Sequence, residues 1–449
     1  MRGLRSTIVL LVVLIGLSGY IYFVTSKKPD SNTIVSKERV FAGLQADTID
    51  EVKVKSESGD TTAVKKDKGA WQVTAPVSSK AEEMEVSQIT SNLSTLEITR
   101  VVDEKPTNLN DYGLQTPRIA IDFKKAGEKD YHHLYIGEKS PTGGDLFAKR
   151  DNDNKVYLVT GYTESIFNRT TFDLRDKTLV KFEQDKVDGL EMSSAGKTLQ
   201  LARAGASDWN ITKPVTMPGD YGNIDTLLGR LKTAAMKSVV TEEATPADLK
   251  KYGFDKPEGT LTIATGGTHQ TLVIGGKLDD NTVYVRDGSK PLVATVDASF
   301  LKELQKGVDD YRRRDLFDFK GFNVDRVEFT KDAQTVVFEK VKSKDRAPDK
   351  WRRVSPNPAE PNSTNMESLI AKVENLRAAE FLPSTTKTGL EKPTLTIHAT
   401  FDDGKKEERV SFAKTDSDVY AAKAGQAGAA KVSASEFDDT VKALDEVSK

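Results

Sequence analysis

The sequence predicts an α+β chain: a single N-terminal transmembrane helix followed by three tandem repeats, each a mainly antiparallel sheet with one long covering helix and one short helix. Three observations carry this. One apolar run stands near the N-terminus, one set of tryptophan, proline and apolar spacings recurs three times, and short alternating strands follow each other through tight turns.

The apolar run comes first in the chain. Ile8 to Val24 is 17 residues without a charge, which as a helix spans roughly 26 Å, enough for a thin hydrocarbon core. Tyr20 and Tyr22 suit a membrane interface, and the bulky Tyr20 to Phe23 stand where a cleavage site needs small residues. Residues 1–28 therefore read as an uncleaved anchor and 29–36 as a linker. A short N-terminal tail favours a cytoplasmic N-terminus, which places the bulk of the chain outside, in the periplasm of a bacterial inner-membrane protein.

The recurrence sets the rest. Trp71, Trp209 and Trp351 are spaced by 138 and 142 residues, and Pro76, Pro214 and Pro356 follow each by five. Beyond each tryptophan the apolar residues Val86, Ile89, Leu93 and Leu96 align without a gap with Ile224, Leu227, Leu231 and Ala234, and with Met366, Leu369, Val373 and Leu376. That spacing is one stripe of an amphipathic helix. Upstream, "IDEVKV", "VDGLEM" and "VDRVEF" alternate as half-buried strands. Downstream, the turns "DYGLQTP", "KYGFDKP" and "KTGLEKP" precede a second strand, and "LYIG", "LVIG" and "VSFA" begin a third. A hairpin and a short helix close each copy. The repeats are placed at 37–174, 175–312 and 313–449. The turn reads as punctuation: Thr245 caps a short helix with Pro246 at its first position and Asp248 completing a capping box, and Gly253 supplies the left-handed residue that ends it.

Composition narrows the chemistry. With 66 basic against 68 acidic residues no net field marks the chain for nucleic acid, and the lack of cysteine excludes disulfides, thiolate metal sites and a cysteine nucleophile. G-x-S-x-G, the P-loop pattern and G-x-G-x-x-G are missing. His132, His133, His269 and His398 stand in no metal-ligand spacing, and "DNDNK" at Asp151 lacks the glycine and distant glutamate of a calcium loop. No catalytic, metal or cofactor residue is assigned. The positions singled out for ligand or partner contact are Tyr112 and Tyr252 of the turn, the hairpin Phe147, and Arg312, Arg313 and Arg314, where one repeat passes to the next.

The tryptophan–proline pair, the "YGLxxP" turn, the "LYIG" strand and the single anchor together resemble a bacterial family catalogued as domain of unknown function 4340. The likeness covers nearly all of Ser36 to Lys449 and weakens in the third repeat, where Thr388 replaces tyrosine. It implies an envelope protein accessory to an ABC-type exporter of the gliding-motility kind, with a permease and an ATPase as partners, and it supplies no active-site residues. The expected function is thus a membrane-anchored, non-enzymatic periplasmic scaffold or binding subunit. A glycan- or lipid-binding protein that uses grooves between repeats is the alternative, and an envelope hydrolase ranks last.

Overall fold

The computed structural model describes residues 18–20, 38–151, 153–343, 349–382, 386–426 and 428–449. It corrects the expected architecture. Three large antiparallel sheets of nine, nine and eight strands dominate the chain, helices are few, and among the described residues no helix is long and apolar enough to cross a membrane. The anchor expected over Ile8 to Val24 falls, apart from Ser18–Tyr20, outside the described residues. The balance between sheet and helix was misjudged for a physical reason. A helical stripe shows itself through four apolar residues in register, whereas a four-residue strand such as Arg100–Asp103 has only two side chains on each face.

The chain divides into two compact units, Met1–Lys177 and Thr178–Lys449. In the first, strands β1 (Ile49–Lys55), β2 (Thr61–Asp67), β3 (Ala70–Ala75) and β4 (Ser79–Lys80) form a meander. After the helix Glu83–Thr95 comes β5 (Arg100–Asp103), and then a second meander of β6 (Ile119–Lys125), β7 (His132–Lys139), β8 (Leu146–Arg150) and β9 (Val156–Val159). The order β4-β3-β2-β1-β6-β7-β8-β9-β5 joins the meanders through an antiparallel β1–β6 pair, with Val54 opposite Ile121, and puts β5 on the far edge.

The second unit holds two sheets. The first contains β10 (Val187–Ser194), β11 (Lys197–Arg203), β12 (Trp209–Lys213), β13 (Met217–Pro218), β14 (Ser238–Thr241), β15 (Gly259–Thr265), β16 (Thr268–Asp279), β17 (Thr282–Asp287) and β18 (Val293–Asp297). The other contains β19 (Val324–Lys331), β20 (Gln334–Val341), β21 (Lys350–Ser355), β22 (Ala378–Leu382), β23 (Leu395–Phe401), β24 (Lys406–Lys414), β25 (Val419–Lys423) and β26 (Ala429–Val432). Their orders, β13-β12-β11-β10-β15-β16-β17-β18-β14 and β21-β20-β19-β23-β24-β25-β26-β22, repeat the pattern of the first sheet, the last without a counterpart of the two-residue edge strand.

Each sheet buries one face. In β1 Val52 and Val54 are fully covered while Lys53 and Lys55 point the other way, and Val86, Ile89 and Leu93 of the helix Glu83–Thr95 join the same core. The helices Tyr221–Thr233 and Ser363–Glu374 bury Ile224, Leu227 and Leu231, and Met366, Leu369 and Val373. Each such side chain contributes about 1.5–3 kcal/mol before chain entropy is counted. Asp220 and Asn362 cap these two helices by accepting from the backbone N–H of Asn223 and Asn365. All three tryptophans are buried on the first meanders, each with a cation from the adjacent strand over its ring: Lys66 at 5.1 Å, Arg203 at 4.6 Å and Lys340 at 5.5 Å. The prolines five residues on are each preceded by a cis peptide bond.

Candidate functional site

The thrice-written turn is built as its residues require. Thr245 and Asp248 form the capping box, Pro246 starts the helix Pro246–Lys251, and Gly253 ends it at φ 81°. Gly113 and Gly389 take the same left-handed conformation at φ 64° and 72°. The second glycine of the pattern, in "LYIG" and "LVIG", answers the turn across space. A Cβ at Gly137 would collide with the Tyr112 carbonyl, and one at Gly275 with that of Tyr252, which instead accepts a hydrogen bond from Gly276 N at 2.8 Å. In the third sheet the strand carries Ala413, and a Cβ built at Gly389 would stand 3.7 Å from it, so turn and strand lie further apart there.

Tyr112, Phe147 and Tyr252 sit at this junction. The Tyr112 ring meets Phe147 edge-on at 5.1 Å, and its hydroxyl donates to Asp103 on β5 at 2.9 Å, the hydrogen bond that raises its pKa. Tyr252 lies 4.7 Å from Tyr284, which occupies in the second sheet the register position that Phe147 has in the first. These rings fasten the turn to the sheet.

A polar cluster lies where the chain leads into each sheet, and sequence reasoning missed it. Arg150, Asp287 and Lys423 share one register position, opposite Leu134, Leu272 and Val410, and His132, Gln270 and Glu408 stand two residues before those partners. In the first sheet Arg150 donates to the Val40 carbonyl, and His132, stacked on Phe123, pairs with Glu128 at 3.1 Å. In the second Gln270 donates to Asp287 at 3.1 Å and accepts from Lys181 N at 3.4 Å. In the third Glu408, with a side chain only 3% exposed, accepts from Asp318 N at 3.0 Å and Phe319 N at 3.1 Å, while Lys423 bridges it at 2.8 Å to Asp318 at 2.9 Å. Burial would raise the Asp287 pKa, but hydrogen bonds from Ser289, Lys290 and Gln270 outweigh it and hold the carboxyl down to about 2. Clefts of about 270 Å³ and 690 Å³ open beside the first and third clusters. In every sheet the shared task is to hold the lead-in backbone, by three different side-chain chemistries.

Arg312, Arg313 and Arg314 form the joint of the Thr178–Lys449 unit. The backbone bridges Gly219 at Arg312 and Arg377 at Asp315, so the passage between the two sheets is pinned at both ends. The Arg312 guanidinium lies 3.0 Å from the Phe381 ring centre, and burial lowers its pKa despite Asp309. Arg313 pairs with Asp318 at 3.2 Å, and Arg314 donates to the Ala379 carbonyl at 2.8 Å. Arg377 reaches back to Asp220 at 3.5 Å and across to Asp315 at 3.0 Å.

Two of the remaining histidines and the "DNDNK" turn are tied up locally. His133 faces Asp122 at 2.7 Å and His398 faces Glu407 at 3.3 Å. In "DNDNK" Asp151 accepts from His133 N, and Asp153 pairs with Arg150 at 3.2 Å. Among the described residues no group of three or more His, Asp or Glu side chains converges to hold a metal.

What fold and clusters define is a protein of serial antiparallel sheets, each backed by helices and fastened at its lead-in by a polar latch. Two stretches, residues 71–209 and 209–393, match the family model described as Domain of unknown function (DUF4340), and the chain belongs to that family. The first match runs from one recurring tryptophan of the internal pattern, Trp71, to the next, Trp209. No curated protein matches the chain.

Proposed function

We propose that the chain is a non-catalytic scaffold or binding subunit of a bacterial envelope assembly, standing in the periplasm and accessory to an ABC-type exporter. The observation that carries this reading is the arginine joint. Two β-bridges three residues apart, the Arg312–Phe381 stack and the Arg377 clamp hold two sheets as one compact unit. Such a joint resists the hinge motion that is the default between domains, so a partner seated on one sheet is kept in a fixed place relative to the other. The proposed partners are envelope membrane proteins, a permease and an ATPase among them.

Co-purification tests this. A tagged chain at native expression, extracted in mild detergent, should bring a permease with it, and Arg377→Ala with Arg313→Ala should weaken that association while each sheet stays folded. A chain that repeatedly emerges alone from cells expressing the exporter would overturn the reading.

A further inference from the structure

The uncovered face of the first sheet differs from those of the other two in a way that the shared fold does not require. One row across it reads Lys55, Ala120, Tyr135, Lys149 on β1, β6, β7 and β8. The same row reads Ser193, Thr260, Val273, Arg286 in the second sheet and Thr330, Thr396, Ser411, Ala422 in the third. The fold is therefore built twice without the lysine–tyrosine–lysine arrangement. Beside Tyr135 lies His133, its ring parallel within 3° and 5.9 Å away, so β7 presents an aromatic strip. Ala120, next to Tyr135, puts only a methyl group between that strip and Lys55. No carboxylate lies within ion-pair distance of Lys55 or Lys149 among the described residues, and Lys149 donates only to the Asp151 carbonyl at 3.0 Å.

We propose that this face of the first sheet binds an extended anionic glycan. A sugar ring laid over Ala120 sets its C–H face against the Tyr135 and His133 rings, and Lys55 and Lys149, about 5 Å and 10 Å to either side of Ala120 by strand spacing, meet acidic groups on the polymer. Asp122, between His133 and Lys53, accepts hydroxyl hydrogens from the sugar. A net charge of −2 offers no field of the kind that draws a nucleic acid. The inference concerns the Met1–Lys177 unit alone and does not depend on the scaffold reading, which rests on the other unit.

The test measures binding of the full chain to polygalacturonate, with neutral dextran and single-stranded DNA as comparison probes, at low and at physiological salt. The variants Lys55→Ser, Tyr135→Val and Lys149→Ala use residues found at equivalent places in the other sheets, so folding should survive and is checked by the thermal midpoint. Polygalacturonate should bind and weaken with salt; Lys55→Ser with Lys149→Ala should reduce affinity about tenfold, Tyr135→Val severalfold, and dextran should not bind. No polygalacturonate binding at low salt, binding indifferent to all three substitutions in folded protein, or single-stranded DNA held more tightly than the glycan would each overturn the proposal.

Discussion

Lys423→Ala puts the third latch to a direct test. The substitution removes a cation whose side chain is 13% exposed and which sits 2.8 Å from a carboxylate that is 3% exposed. Breaking a buried pair from one side costs about 3–5 kcal/mol, because the remaining charge is stranded. Glu408 keeps the amides of Asp318 and Phe319, so the lower end, about 3 kcal/mol, is expected. For a body of this size that corresponds to a fall of roughly 6–12 °C in the unfolding of the second unit by calorimetry. Hydrogen exchange should locate the loss at the amides of Asp318 and Phe319. The carboxyl of Asp318 provides a further readout: burial acts to raise its pKa, Lys423 and Arg313 more than offset this, and the variant should titrate at higher pH. Replacing both partners, Glu408→Gln with Lys423→Met, should recover most of the loss. A midpoint moved by less than about 1 °C, with those amides still protected, would refute the idea that the pair holds the lead-in segment.

Two further outcomes follow from neighbouring features. Since Asp287 has a folded pKa depressed from 3.8 to about 2, its contribution is fully present above pH 4 and is lost as pH falls toward 2; acid unfolding of the second unit followed by circular dichroism should show that dependence, and Asp287→Asn should flatten it. Gly275→Ala should destabilise by about 3 kcal/mol in denaturant melts because the new methyl meets the Tyr252 carbonyl and the Phe254 ring, whereas Ala413→Gly, at the looser third junction, should cost no more than about 1 kcal/mol.

What the sequence revealed depended on how far apart the cooperating residues lie. The capping box at Thr245, Pro246 and Asp248 was readable because its parts are within four residues and have narrow chemistry. The long-helix stripes were readable because they recur at fixed spacing, and the tryptophans because they are rare. The partnership of Gly137 with Tyr112 was hidden: the recurrence of each motif was plain, but that one's carbonyl fills the other's missing side chain is a fact of the third dimension. The latches were still less visible. His132, Gln270 and Glu408 share a place and not a chemistry, so no recurring residue marks the position at which the structure shows three solutions to one task. Arg312 to Arg314 read as a charged passage between repeats open to a ligand or partner, because a linear run of charge does not disclose that Phe381, Ala379 and Asp318 come to meet it.

The unlike latches also bear on how such a chain avoids confusing its own parts. Sheets with one strand order and kindred cores invite a lead-in segment to settle on the wrong host while the chain is still finding its shape, a hazard common to serial folds. Lys181 and Asp318 are the corresponding lead-in residues of the second and third sheets: the Lys181 amide donates to Gln270, the partner of Asp287, and the Asp318 carboxylate pairs with Lys423. An exchange would set Asp318 against Asp287 and Lys181 against Lys423, like charge on like charge in both. Charge at a single position thus acts as an address label, telling each segment which sheet is its own.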